Sequence, residues 1–156
     1  MVGDFAVGKT SLTQRFVNNT FSDKYLTTIG VKIDSLEVQG TKLIIWDIAG
    51  RDDLTPLNAS YLFGAGGVVL VADGTRPETV QSLPGLWATV VESIGEVPAV
   101  VALNKHDHAE WTEDNLDLSW ITAQGWSVFN TSAQQGTEVI ELFTSFVADQ
   151  PTSGAS

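Results

Sequence analysis

Gly3-Asp4-Phe5-Ala6-Val7-Gly8-Lys9-Thr10 is the stretch on which the fold of this chain turns. It fits the pattern Gly-x4-Gly-Lys-Ser/Thr, in which backbone N–H groups turn inward around an anion at the start of a helix. Gly8 keeps a Cβ away from the anion, and Lys9 spans the β- and γ-phosphates of a nucleotide. Thr10 offers a hydroxyl to Mg²⁺, and the helix that follows points its positive end at the site. A glycine turn before an amphipathic helix would satisfy the same letters, so the rest of the chain must decide.

The helix is expected from Lys9 to about Asn18, with Leu12 and Phe16 on its inner face. Val31 to Val38 reads as a strand whose alternation slips phase at Ser35, and Gln39-Gly40 as a hairpin turn. Thr41 to Asp47 carries Leu43-Ile44-Ile45-Trp46, an unbroken apolar run expected of a strand buried on both faces. Val68–Ala72 and Pro98–Leu103 read as two further buried strands, and Trp126–Phe129 as the last. Helical spacing joins Leu83, Leu86, Trp87, Val90, Val91 and Ile94, with Gly95 as the cap, and it returns from Val139 to Val147. Ile48 to Pro56 reads as a loop, and His106 to Asp117 as an acidic irregular stretch before a short helix closed by Gly125. Strands alternating with helices predict an α/β domain, a mostly parallel sheet in three layers, over residues 1–149 with a tail at 150–156. Such sheets bind ligands at the carboxyl ends of their strands, where the Gly3 loop, Asp47 and Asn104 are expected to converge.

Bulk composition narrows the function. The formal charge of −11 argues against sequence-independent nucleic-acid binding and against direct docking on an anionic membrane. With 156 residues there is enough chain for a real core. There is no cysteine, hence no disulfide, thiolate site or lipidation anchor of that kind, and cytoplasmic action is the expectation. His106 and His108 flank Asp107 without a fourth ligand, a poor metal set. The five tryptophans read as packing residues rather than a stacking platform for bases.

The remaining candidates follow predicted strands. Asp47, before Ile48-Ala49-Gly50, is placed to hold Mg²⁺ through water, and the Gly50 N–H to reach a γ-phosphate. In Asn104-Lys105-His106-Asp107, the Asp107 carboxylate accepts from both N–H donors on the Watson–Crick edge of guanine, a pattern adenine lacks. Thr131-Ser132-Ala133 places the Ala133 N–H toward guanine O6, and Thr28 is a second hydroxyl for Mg²⁺. Each alone also fits an ordinary polar turn.

In this order and spacing, from Gly3 to about Val147, the chain resembles the Ras-like small GTPases. Tyr25-Leu26-Thr27-Thr28-Ile29-Gly30-Val31 is most similar to the Rab branch, and Trp46-Asp47-Ile48-Ala49-Gly50 resembles the Rab-like GTPases of bacteria. The resemblance implies the P-loop NTPase fold, GTP or GDP with Mg²⁺, and a switch that binds effectors, exchange factors or activators through residues 20–30 and 50–62. It implies that Gly3 to Thr10, with Ser11, hold the phosphates, and that Asn104, Lys105, Asp107, Ser132 and Ala133 hold the base. Phe21 would pack against the guanine edge and Tyr25 over the phosphates. Thr10, Thr28 and Asp47 would serve the metal, and Lys9, Thr28, Gly50 and Arg51 the hydrolysis.

The chain departs from that family in four places. Arg51 stands where the water-orienting glutamine is usual, and it has no acceptor atom. Phe5 stands where a small residue is usual beside the γ-phosphate. Both predict slow hydrolysis, with a GTP-loaded binding module as the alternative. Gln134 follows Ser132-Ala133 where relatives often have lysine. Only Met1 and Val2 precede Gly3, so the first central strand is expected to be short and to leave a slot in the sheet. That loss costs on the order of 10 kcal/mol in buried side chains and hydrogen bonds. The expectation is therefore that Met1 is an internal methionine of a longer strand, an inert truncated fragment being the other alternative.

Overall fold

The computed structural model describes residues 1–20, 30–49 and 58–148. In chain order the elements are β1 (Val2–Gly3), α1 (Lys9–Asn18), β2 (Val31–Val38), β3 (Thr41–Ile48), β4 (Val68–Asp73), α2 (Pro77–Gln81), α3 (Leu83–Ile94), β5 (Ala99–Asn104), α4 (Ser119–Gln124), β6 (Val128–Asn130) and α5 (Val139–Ala148). Short 3₁₀ turns occupy Ala59–Leu62 and Glu113–Asn115.

β1, β4, β5 and β6 pair in parallel in that order, while β2 and β3 form an antiparallel hairpin. All of β4 and β5 is buried, as their unbroken Val, Leu and Ala runs require. Side-chain alternation divides β4 between two cores. Val68, Leu70 and Ala72 pack with Leu83, Leu86 and Val90 of α3, whereas Val69 and Val71 pack with Leu12 of α1 and Leu142 of α5. Phe16 and Phe143 close the second core, their rings stacked at 4.4 Å. These are the two helical layers and the central sheet expected of a three-layer α/β domain.

β1 is two residues long, pairing Val2 with Leu70 and Gly3 with Val71. Just before it, the Met1 nitrogen donates to the Trp46 carbonyl of the hairpin at 3.0 Å. The expected slot lies there, a cleft of about 520 Å³ between β3 and β4 lined by Met1, Val2, Ile45, Val69, Phe143 and Phe146, among others.

Two expectations need correction. β3 is buried on one face only. Ile45 is 8% exposed, but Ile44 and Trp46 are 58% and 40% exposed. Trp46 pairs across the hairpin with Ile33, itself 52% exposed, so among the described residues no layer covers that face. The last strand begins at Val128 rather than Trp126, because Trp126 turns aside to pack edge-on against Trp87 and Trp120. The helix read from Leu83 to Ile94 forms as α3 with Gly95 at its end, and a short helix that the spacing did not announce, α2, precedes it, with Pro77 at its start. Gln39-Gly40 does form the hairpin turn, both residues having positive φ.

Candidate functional site

The carboxyl ends of β1, β3, β4 and β5 meet on one edge, with the Gly3–Thr10 loop at their centre. Gly3 lies so close to the Val71 carbonyl that no side chain fits there. Ala6 and Gly8 both take left-handed backbone, with φ of 62° and 103°. Left-handed residues at alternate positions curl successive N–H groups toward one hollow. Gly8 also runs directly under the Asn104 side-chain amide, a space that a Cβ would occupy. Val7 points the other way, fully buried in the core beneath the loop.

Lys9 opens α1, is 6% exposed, and donates across the loop to the Gly3 carbonyl at 3.1 Å and the Asp4 carbonyl at 2.9 Å. Burial pulls its ammonium from 10.5 down to about 8, against the opposing pull of Asp47 and Asp4. A buried cation at the mouth of an N–H hollow is a site for an anion. Phe5 is 43% exposed, with its ring at the surface. Ser11 follows in the first turn of α1, partly buried.

The Thr10 hydroxyl donates to Asp47 Oδ2 at 2.5 Å. Asp47, near the end of β3, is fully buried. This pair is a hard-oxygen donor set drawn from two elements. Among the described residues no cluster of three His, Asp or Glu could hold a metal. Mg²⁺ does not need one, because it takes one or two protein oxygens and completes its shell with water and phosphate. The donor set therefore fits Mg²⁺ held jointly with a phosphate ligand.

Asn104 ends β5 and ties the second half of the site to the first. Its Nδ2 donates to the Val7 carbonyl at 2.9 Å, and its Oδ1 accepts from Thr131 at 3.1 Å. Lys105 adopts left-handed backbone, φ 67°, and its ammonium meets Asp73 Oδ2 at 2.9 Å. Asp107 Oδ1 accepts from the Ser132 hydroxyl at 2.8 Å, bringing the loop after β6 against the loop after β5. Ala133 is buried, and its carbonyl is held by Arg15 Nε at 2.7 Å while Arg15 Nη2 holds Gln134 at 2.6 Å. His106 packs edge-on against Trp111 and His108 sits 3.9 Å from Asp107.

The structure thus brings together the expected residues of the Gly3–Thr10 loop, Asp47, Asn104, Lys105, Asp107, Ser132 and Ala133. Phe21, Tyr25, Thr28, Gly50 and Arg51 lie outside the described residues. Two residues escaped the sequence reading. Asp73, at the end of β4, is fully buried and accepts from Thr75, Arg76 and Lys105. Burial alone would push its carboxyl up, but the bonds from Lys105 and Thr75 outweigh it and hold the group below the usual 3.8. Arg76 connects Asp73 to the Phe5 carbonyl at 2.9 Å. The available signal was an aspartate closing the unbroken apolar run Val68–Ala72.

Residues 1–151 match the model of the Ras family. The chain is 31% identical to the Ras-related protein Rab-13 of Canis lupus familiaris, over 96% of this chain and 77% of that one. It is 32% identical to the Ras-related protein Rab-1D of Dictyostelium discoideum, over 96% and 76%. Against the GTP-binding protein YPTM1 of Zea mays it is 33% identical, over 95% and 74%.

Proposed function

The chain belongs to the Ras family as a Rab-like small GTP-binding switch protein, and on that premise we propose that it binds GTP and GDP with Mg²⁺ and hydrolyses GTP slowly. Three contacts that join four separate segments carry this reading. Thr10 meets Asp47, Asn104 meets the Val7 carbonyl, and Ser132 meets Asp107. The phosphate chain would lie over the Ala6–Lys9 N–H groups, and the base between Lys105, Asp107 and Ala133.

Hydrolysis needs little covalent chemistry from the protein. Water oxygen forms the new bond to the γ-phosphorus, the bond from that phosphorus to the bridging oxygen breaks with its electron pair leaving on GDP, and a proton of the water passes to the phosphate released. Lys9 and the inward N–H groups stabilise the spreading charge, and the Thr28 carbonyl orients the water. Thr10, Thr28 and Asp47 would hold Mg²⁺, which would supply charge neutralisation to the phosphate oxygens. Release of the γ-phosphate would free the contacts of Thr28 and Gly50, so that residues 20–30 and 50–62 exchange partners between states. The exposed Ile33, Ile44 and Trp46, on the hairpin following residues 20–30, extend that partner surface.

Slow turnover follows from Arg51, which cannot accept a hydrogen bond from the attacking water, and from the bulk of Phe5. The experiment is to analyse the nucleotide carried by the purified protein after hours, together with single-turnover phosphate release. Bound GDP and slow release support the switch, and persistent GTP supports a non-hydrolysing binding module in its place. Phe5→Gly with Arg51→Gln should accelerate release. No saturable mant-GDP binding by the protein would refute the whole reading.

A further inference from the structure

Arg76 lies outside the loop hollow, between two segments that the site must keep in register. Its Nε donates to Asp73 Oδ2 at 3.0 Å, and its Nη2 donates to the Phe5 carbonyl at 2.9 Å. Asp73 is itself fixed. Oδ1 takes the Thr75 N–H at 2.8 Å and hydroxyl at 2.7 Å, and Oδ2 is shared with the Lys105 ammonium at 2.9 Å. One side of the guanidinium fork is therefore set, and the other is aimed at the loop.

A peptide unit is planar and trans, so its C=O and N–H point in opposite directions. Holding the Phe5 carbonyl outward turns the Ala6 N–H toward the inner side of the loop. Asn104 does the same two peptides later, where its bond to the Val7 carbonyl turns the Gly8 N–H inward. Left-handed Ala6 is a strained conformation for a residue with a Cβ, and such a conformation persists only when its surroundings impose it.

We propose that Arg76 is a positioning residue that holds the Phe5–Ala6 peptide with its N–H directed at a bound phosphate and, through Asp73, couples that peptide to Lys105 beside the base. The inference rests on the nucleotide reading above for what is bound, and on the two Arg76 hydrogen bonds for what is held. It explains why arginine serves here. A lysine ammonium is a single point and lacks the planar fork that meets a carboxylate and a carbonyl at once.

The bland alternative is that Arg76 merely caps α2 through its i,i+3 ion pair with Asp73. The two differ in what an Arg76→Gln variant does to the loop. Positioning predicts that the Ala6 N–H order parameter in nucleotide-free protein falls from about 0.85 to below about 0.6, and that mant-GDP dissociates about tenfold faster, with the melting temperature within a few degrees of the parent. Arg76→Lys should stay nearer to the glutamine variant than to the parent in both. An unchanged order parameter with dissociation within twofold of the parent in Arg76→Gln would overturn the proposal. If the parent binds no guanine nucleotide, the functional reading fails by itself, and the order parameter still decides whether Arg76 holds the peptide.

Discussion

The amide of Asn104 donates a 2.9 Å hydrogen bond to the carbonyl of Val7, joining loops 97 residues apart in the chain. Asn104 is 2% exposed, and its own oxygen is taken by Thr131. Truncation to alanine would strand the Val7 carbonyl and the Thr131 hydroxyl, each unsatisfied buried group costing about 1–3 kcal/mol. For a chain of this size 1 kcal/mol is worth about 2–4 °C. Asn104→Ala should therefore melt at least about 5 °C below the parent by circular dichroism. Asn104→Asp should be no better, because it turns an acceptor toward the Val7 carbonyl. A melt unchanged by both would show that the bond does not form.

Asp73 gives a pH signature. Its carboxyl is held below 3.8 in the folded chain, so as acidity rises the unfolded chain takes up this proton first. The stability that this carboxylate contributes is thus fully present above about pH 4 and drains away as pH falls toward the folded value. Asp73→Asn should lower the melting temperature at pH 7 by several degrees, since Arg76 and Lys105 lose their common partner, partly screened by their own exposure. The gap between variant and parent should narrow at pH 3, other carboxylates contributing alike to both. A constant gap across that range would place the cause elsewhere than in ionisation.

Neighbouring residues on β3 should differ sharply. Ile45 faces the core, and Ile45→Ala should cost about 2–4 kcal/mol in urea unfolding. Ile44 faces outward at 58% exposure, and Ile44→Thr should stay within about 0.5 kcal/mol. Equal costs would mean that both faces of the strand are covered.

This contrast shows where the sequence was legible and where it was not. Val68–Asp73 and Ala99–Asn104 are buried on both faces, and their apolar runs say so. Leu43-Ile44-Ile45-Trp46 has the same composition but lies in a hairpin with one open face, a difference of tertiary placement that no local run encodes. The candidate residues of the described loops were legible because close backbone approach forces residue type and spacing, as with Gly8 under the Asn104 amide. Asp73 and Arg76 were hidden because Asp-Gly-Thr-Arg-Pro reads as a plain turn. Their meaning appears only when β4 sets Asp73 beside Lys105 and Arg76 reaches Phe5 across 71 residues.

The last prediction concerns choice of base. Asp107 has one carboxylate oxygen bonded to the Ser132 hydroxyl at 2.8 Å, a geometry that steadies the side chain while leaving acceptor capacity for a ligand. Guanine presents two donors on that edge, N1–H and the 2-amino group. Xanthine keeps N1–H and replaces the amino group by a carbonyl. Asp107→Asn should therefore weaken GDP by about 100-fold or more, because one new N–H₂ faces the guanine amino group. The same N–H₂ should improve binding of xanthosine diphosphate, whose carbonyl accepts from it. The Ser132 bond survives, since the amide oxygen still accepts, so the fold and melting temperature should hardly change. Competition of GDP, xanthosine diphosphate and ADP against a fluorescent nucleotide, on parent and variant, measures this. A loss of GDP with no gain for xanthosine diphosphate would mean that Asp107 acts on the loop rather than on the base.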